Sequence, residues 1–406
     1  MNGMSVTNRS AVPVADRVGR FSYAIRNIMS EARAVEATGR RVRYLNIGDP
    51  VAFGFRTPSH VVAAAVRAMH DGLNGYLPSV GIAEGREAVA DDYASRGVSI
   101  AADRVVLTTG TSEGIDLALT ALVNPGDEVL VPSPTYPLYT AVLAKLGADP
   151  RYYRTDPHRG WLPDLDHVRG LVTPRTRVLV VIDPNNPTGA VYPAPVRHAL
   201  IEIADRHGLV ILADEVYGDL AFDGPAPLMG TCDLDAPIIS FSSLSKAYLA
   251  PGWRAGWLVV GATPRLDAVL AAIKKLADGR LCSPGPMQYG IVAALRGDRS
   301  HQEEFRRALK LRAEITANRL NAIPGMRCVM PRAAFYAMPT VALPPGKTDE
   351  DYVLSLLREK GTLCVHGSGF GAPPEQGCFR IVFLASPEDL SAIYDDIAAF
   401  TAQYLQ

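Results

Sequence analysis

Between residues 105 and 260 the chain repeats one rhythm: a short run of Val, Ile and Leu, a polar turn, then a stretch of helix length. Val105-Val106-Leu107 leads into Thr108-Thr109-Gly110-Thr111-Ser112, and Val129-Leu130-Val131 into Pro132-Ser133-Pro134-Thr135-Tyr136. Residues 178–182 lead into Asp183-Pro184-Asn185-Asn186-Pro187-Thr188-Gly189, and Val210-Ile211-Leu212-Ala213 into Asp214-Glu215-Val216-Tyr217. Strands this apolar are covered on both faces, and strands alternating with helices pair mostly in parallel. The expected fold class is α/β, with a large, doubly wound, mostly parallel sheet. Ligands of such sheets bind beyond the carboxyl ends of the strands. Each polar cluster just quoted stands at such an end, so side chains far apart in sequence are expected to share one crevice.

A lysine belongs to the same set. Ile238-Ile239-Ser240-Phe241 and Trp257-Leu258-Val259-Val260 read as strands, and the loop between them carries Ser243-Leu244-Ser245-Lys246 and Gly252-Trp253-Arg254-Ala255-Gly256. A lone Ser-Lys pair is usually a solvated helix end. Here it lies between two core elements, where a rigid scaffold can hold a site. Serines and an arginine can hold a phosphate, and an amine can condense with an aldehyde; pyridoxal phosphate carries both groups.

The remainder of the chain reads differently. Residues 1–20 lack periodicity and are expected to form a mobile arm. Helices are expected over 22–38, 60–69 and 84–96, with a strand over 42–47. After about residue 298 a long charged helix (302–320) precedes three strand-like runs, Cys328-Val329-Met330, Phe335-Tyr336-Ala337-Met338 and Phe379-Arg380-Ile381-Val382-Phe383, and closing helices. The expected division is an arm (1–20), the first part of a small domain (21–56), a large domain (57–297) and the rest of a small α+β domain (298–406).

Composition narrows the function. The 406 residues are 48% hydrophobic with a formal net charge of −1, so neither nucleic acid nor an anionic membrane is an expected partner. The five cysteines (Cys232, Cys282, Cys328, Cys364, Cys378) are scattered without a CxxC pair, so no metal site and no disulfide framework is expected. The N-terminus has no signal-peptide pattern, and a reduced cytoplasmic setting is expected.

Each polar cluster then has a chemical use beside a plainer one. Gly110, Thr111 and Ser112 open a helix, whose free N–H groups suit an anion, although the same string is an ordinary N-cap. With Ser243 and Arg254 they would form a phosphate cup. Asp214 would keep a pyridine nitrogen protonated, or it caps a helix. Asn186 and Tyr217 would donate to a ring oxygen, although residues 186–189 are also a turn. Tyr136 would stack on a ring, or it is core. Arg380, among apolar neighbours, needs an anion: a structural acid or a substrate carboxylate.

Taken together these residues resemble class I aminotransferases of the fold type I pyridoxal phosphate superfamily. The matching strings are Asn185-Asn186-Pro187-Thr188-Gly189, Asp214-Glu215-Val216-Tyr217, Ser243-Leu244-Ser245-Lys246 with Gly252-Trp253-Arg254-Ala255-Gly256, and Phe379-Arg380-Ile381; the resemblance covers about residues 22–404. Tyr44-Leu45-Asn46-Ile47-Gly48-Asp49-Pro50, Phe53-Gly54-Phe55, Arg280-Leu281-Cys282 and Cys328-Val329-Met330-Pro331-Arg332 are similar to the alanine (glutamate–pyruvate) branch. That branch more often has Asn-Gly-Val-Ser where this chain has Thr109-Gly110-Thr111-Ser112.

The resemblance implies that Lys246 carries the cofactor and Asp214 pairs with its ring nitrogen. Asn186 and Tyr217 would meet its ring oxygen, and Gly110, Thr111, Ser112, Ser243 and Arg254 its phosphate. Arg380 would take the substrate α-carboxylate near Asn186 and the Gly48 backbone. It further implies a homodimer with shared sites, in which Tyr76 reaches the partner's phosphate and Arg280 meets the distal carboxylate of glutamate, unless Arg280 instead pairs with the nearby Asp278. The implied reaction is ping-pong transfer between an L-amino acid, alanine first, and a 2-oxo acid. Rival readings are an aspartate- or aromatic-preferring aminotransferase, a pyridoxal phosphate carbon–sulfur lyase, and a pyridoxal-phosphate-binding regulator.

Overall fold

The computed structural model describes residue 12, residues 14–20 and residues 28–406. Most of the expected arm, and the start of the helix expected over 22–38, lie outside the described residues. Asp16–Arg20 form a short 3-10 turn whose Arg17 and Val18 line a small groove with Leu138, Ala141 and Val142.

The sheet forms where the Val/Ile/Leu runs predict it. After a two-residue strand β1 (Arg43–Tyr44), the strands are β2 (Val105–Thr108), β3 (Glu128–Ser133), β4 (Asp149–Asp156), β5 (Leu162–Pro163), β6 (Thr176–Ile182), β7 (Val210–Asp214), β8 (Ile238–Ser243) and β9 (Gly256–Val260). Strands β2 to β9 make one eight-stranded sheet in the order β2-β9-β8-β7-β6-β3-β4-β5. The pairs β8–β7, β7–β6, β6–β3 and β3–β4 are parallel, and β9 runs antiparallel to both β8 and β2. Because β9 opposes both neighbours, β2 and β8 point the same way. Their carboxyl ends, Thr108 and Ser243, therefore open on the same side as Asp214 of β7.

Nearly every residue of β2, β6, β8 and β9 is buried, as continuous apolar strands require. The helices Thr111–Leu122 and Asp267–Gly279 cover one face through Ile115, Leu119, Leu270 and Ile273. The helix Ala194–His207 covers part of the other through Leu200 and Ala204.

The C-terminal part begins with the helix Ser300–Asn321. It contains β10 (Met326–Arg327), β11 (Tyr336–Ala337), β12 (Thr340–Val341), β13 (Thr362–Leu363), β14 (Val365–His366) and β15 (Phe379–Val382). These form small sheets, of which β11-β15-β14 carries Arg380. Two expected strands are displaced. The run over 42–47 is a strand only over Arg43 and Tyr44, which pair with Thr362 and Leu363. The run 328–330 is not a strand, because the Asn321 side chain takes both backbone groups of Cys328: Oδ1 accepts its N–H at 2.9 Å and Nδ2 donates to its carbonyl at 2.8 Å. Among the described residues no helix is long and apolar enough to cross a membrane.

Candidate active site

A cavity of about 740 Å³ opens at the carboxyl ends of the sheet strands. Gly48, Thr111, Ser112, Tyr136, Asn186, Asp214, Tyr217, Ser243, Lys246, Arg254 and Arg380 all lie on its wall, so eleven expected site residues meet in one place. Gly110 stands directly behind that wall. Tyr76 and Arg280 do not line it; Tyr76 is 86% exposed.

The lysine loop is closed on itself. Leu244 N–H donates to Ala255 at 3.0 Å and Ala250 N–H to Leu244 at 3.1 Å. Inside this knot Leu249 and Arg254 adopt left-handed backbone angles, φ 56° and 52°. That tight path sends both Lys246 and Arg254 toward the cavity. Lys246 Nζ donates to the Gly48 carbonyl at 3.0 Å and lies 5.6 Å from the centre of the Phe335 ring. Gly48 has no room for a side chain: a Cβ there would stand 2.2 Å from the Tyr336 hydroxyl.

Asp214 ends β7 and is buried. It does not cap a helix. Its carboxylate accepts from the Tyr139 hydroxyl at 3.1 Å and the Val216 N–H at 3.4 Å, both neutral groups. Burial pushes its pKa up to about 6, against the opposing pull of these two donors and of Lys246. A buried acid with neutral partners, facing a cavity, suits a cationic ring nitrogen.

Across the cavity, Arg380 is 2% exposed. Its guanidinium carbon lies 4.7 Å from the ring centres of both Tyr336 and Phe370, so two aromatic faces fix its plane. Nη1 donates to Asn186 Oδ1 at 3.2 Å, and Nη2 donates to the Asn46 carbonyl. The Tyr217 hydroxyl meets the Tyr336 hydroxyl at 2.9 Å.

The turn before the helix Thr111–Leu122 has the form of an anion cradle. Gly110 sits at φ 73°, and a Cβ there would stand 2.3 Å from Arg254 Nη2. Glycine is therefore required both for the backbone angle and for the approach of the guanidinium. Arg254 Nη1 donates to the Pro251 carbonyl at 2.9 Å. The Thr111 hydroxyl is buried without a hydrogen-bond partner among the described residues. Together with Ser112, Ser243 and the free N–H groups of the helix end, this unmet donor suits a phosphate. The chemistry of the whole donor set thus fits a phosphorylated pyridine.

Several residues that line the cavity or support its wall carry no such signal in the sequence. Tyr139 looks like helix core, Tyr336 and Phe370 like strand and loop hydrophobes, and Asn46 like part of a strand. Arg33 is an exposed arginine of the helix Met29–Ala37 that reaches the cavity wall. The residues 44–50, quoted above for their similarity, held the one signal for Asn46. Arg280 lies with its Nε 3.2 Å from Glu113 Oε1, while Asp278 accepts from Ser79.

Comparison with known proteins agrees with this geometry. Residues 41–397 match the family described as aminotransferase class I and II. The glutamate-pyruvate aminotransferase AlaA of Escherichia coli strain K12 is 35% identical, over 98% of this chain and 100% of that protein. An alanine aminotransferase of Mycobacterium bovis is 36% identical, over 95% of this chain and 91% of its own length. The solved structure of an alanine aminotransferase from Pyrococcus furiosus superposes with a TM-score of 0.94 at 38% identity, covering 96% of this chain and all of that one. The fold, the convergence of Lys246, Asp214 and Arg380, and these similarities lead to one conclusion: the chain belongs to the class I and II aminotransferases, a family that works with pyridoxal phosphate.

Proposed function

We propose that this aminotransferase moves an amino group from L-alanine to 2-oxoglutarate and, in reverse, from L-glutamate to pyruvate, in two half-reactions at one cavity. The observation that carries the reading is the shared wall of Lys246, Asp214 and Arg380. The alanine and glutamate–pyruvate activities named for the relatives support the choice of substrate.

When bound, pyridoxal phosphate supplies an electron sink for the substrate α-carbon. Asp214 would keep the ring nitrogen protonated. Tyr217 and Asn186 would donate to the ring oxygen, and Tyr136 would pack against the ring. Gly110, Thr111, Ser112, Ser243 and Arg254 would hold the phosphate. Arg380, its plane fixed by Tyr336 and Phe370, grips the substrate α-carboxylate with two parallel hydrogen bonds near the Gly48 backbone. The Lys246 amine would take the α-proton as general base and then, protonated, serve as the general acid of the same half-reaction.

Arg33 is the cation at the cavity mouth that these assignments leave over, and it makes no ion pair among the described residues. It is the candidate for the distal carboxylate of glutamate and 2-oxoglutarate. Arg33→Ala should raise KM for glutamate about tenfold, the scale of one exposed charge-assisted contact, and leave alanine unchanged. Equal effects on both donors would remove it from this role.

A second copy of the chain completes the proposal. Val62, Val66, Met69 and Leu73 are 38–43% exposed at helical spacing, beside Tyr76. A homodimer would cover this stripe and carry Tyr76 to the partner's phosphate site. The small part (21–56 and 298–406) and the large part (57–297) are proposed to act as two domains around the cavity.

The decisive experiment is Lys246→Ala with a donor panel of alanine, aspartate, tyrosine and valine against 2-oxoglutarate. Wild type should favour alanine. The variant should bind pyridoxal phosphate yet turn over at least ~10⁴-fold more slowly, the upper range for loss of a positioned acid–base group. Full activity in the variant, or ammonia release without an acceptor, would overturn the reading.

A further inference from the structure

Arg280 and Glu113 form a connected pair behind the phosphate turn. Arg280 follows the helix Asp267–Gly279 as its C-cap. Its Nη2 donates to the Leu107 carbonyl in β2 at 2.7 Å, and its Nε stands 3.2 Å from Glu113 Oε1. The other carboxylate oxygen, Glu113 Oε2, accepts from the Thr109 N–H at 2.7 Å. At the other end of the same residue, Arg254 Nη2 donates to the Thr109 carbonyl at 3.4 Å. The residue that begins the turn is therefore gripped at its N–H by the Arg280–Glu113 pair and at its carbonyl by the expected phosphate arginine. The pair's side chains are only 16% and 20% exposed, so their attraction is less screened than that of a surface ion pair.

We propose that Arg280 and Glu113 are positioning residues for the cofactor's phosphate. They lock residues 109–112 so that the N–H groups of the helix end, the Thr111 hydroxyl and Arg254 present one rigid cradle. A phosphate bound there meets donors already in place instead of ordering a mobile turn. This rests on the cavity being the pyridoxal phosphate site, but not on any choice of amino acid. The rival use of Arg280 is to receive a substrate carboxylate in a second copy. It would act through Nη1, which has no hydrogen-bond partner among the described residues.

The test strips cofactor from wild type, Arg280→Ala and Glu113→Gln, then titrates each with pyridoxal phosphate and, separately, with pyridoxal, which lacks the phosphate. Both variants should weaken pyridoxal phosphate binding by about tenfold and pyridoxal binding by less than about twofold, the scale of one charge-assisted contact. At saturating cofactor, KM values for alanine and glutamate should stay in their wild-type ratio. Glu113→Gln is nearly isosteric, so it carries the test even if Arg280→Ala does not fold. Equal losses for the two aldehydes would reduce the pair to general structural support and overturn the proposal. So would unchanged cofactor affinity, or a rise in KM confined to glutamate in Arg280→Ala. Failure of wild type to bind pyridoxal phosphate would instead sink the reading of the cavity itself.

Discussion

Asp214 and Glu215 are neighbours in sequence, are both buried, and face different surroundings. Burial raises the pKa of each, Asp214 to about 6 and Glu215 to about 7. Glu215 is enclosed by protein: Oε1 accepts from the Met229 N–H at 2.5 Å, with Ser240 and Arg96 close by. Asp214 has two neutral donors on one side and the cavity on the other. Desolvation alone therefore does not mark a functional acid. The mark is a displaced pKa combined with an open direction in which a ligand can supply the missing charge.

Removing each charge should separate the two roles. Asp214→Asn should lower turnover by ~10²–10³-fold, the loss expected when one preorganised electrostatic partner is removed from a reacting ring. The fold should persist, checked by circular dichroism alongside steady-state kinetics. Glu215→Gln should leave turnover within about threefold, because no atom of Glu215 faces the cavity, and should change stability by about 1–3 kcal/mol, as for other altered buried hydrogen bonds. Similar kinetic losses in both variants would erase the distinction.

The same contrast explains what the sequence made legible. Strands β2, β6, β7, β8 and β9 follow directly from Val/Ile/Leu runs, since each such run has to be buried on both faces. Asp214, Lys246, Asn186 and Arg254 stand at the ends of those strands, so topology alone sends them to one crevice. Partners drawn from elsewhere left no local signal. Tyr139 reaches Asp214 from 75 positions away, and Tyr336 reaches Tyr217 from 119. In the sequence both are simply aromatic residues of apolar segments. Arg280 shows how proximity misleads. Its near neighbour Asp278 bonds Ser79, while its ion-pair partner is Glu113, distant in sequence but brought close where β2 runs into the next helix. Cys328 shows the reverse failure, a strand-like run whose backbone groups are taken by a side chain instead of another strand.

A pH dependence can sharpen the contrast without any mutation. Both acids have folded pKa values above their ordinary ones, 3.8 and 4.5, so the folded state binds more protons than the unfolded state between those limits. Stability from these groups is therefore fully present below pH 4 and is lost as pH rises, through about 6 for Asp214 and about 7 for Glu215. Each displacement corresponds to on the order of 3 kcal/mol at about 1.4 kcal/mol per pH unit. Cofactor-free protein should thus show Tm falling from pH 5 to pH 8 in a scanning calorimeter. Pyridoxal phosphate, by placing a cationic nitrogen beside Asp214, should hold that carboxyl ionised at lower pH and flatten the lower part of the slope. Glu215 faces no ligand, so the part of the slope near pH 7 should survive cofactor loading and disappear in Glu215→Gln. A slope unchanged by cofactor would mean that Asp214 gains no counter-charge from the ring, and the two acids would then differ in position only.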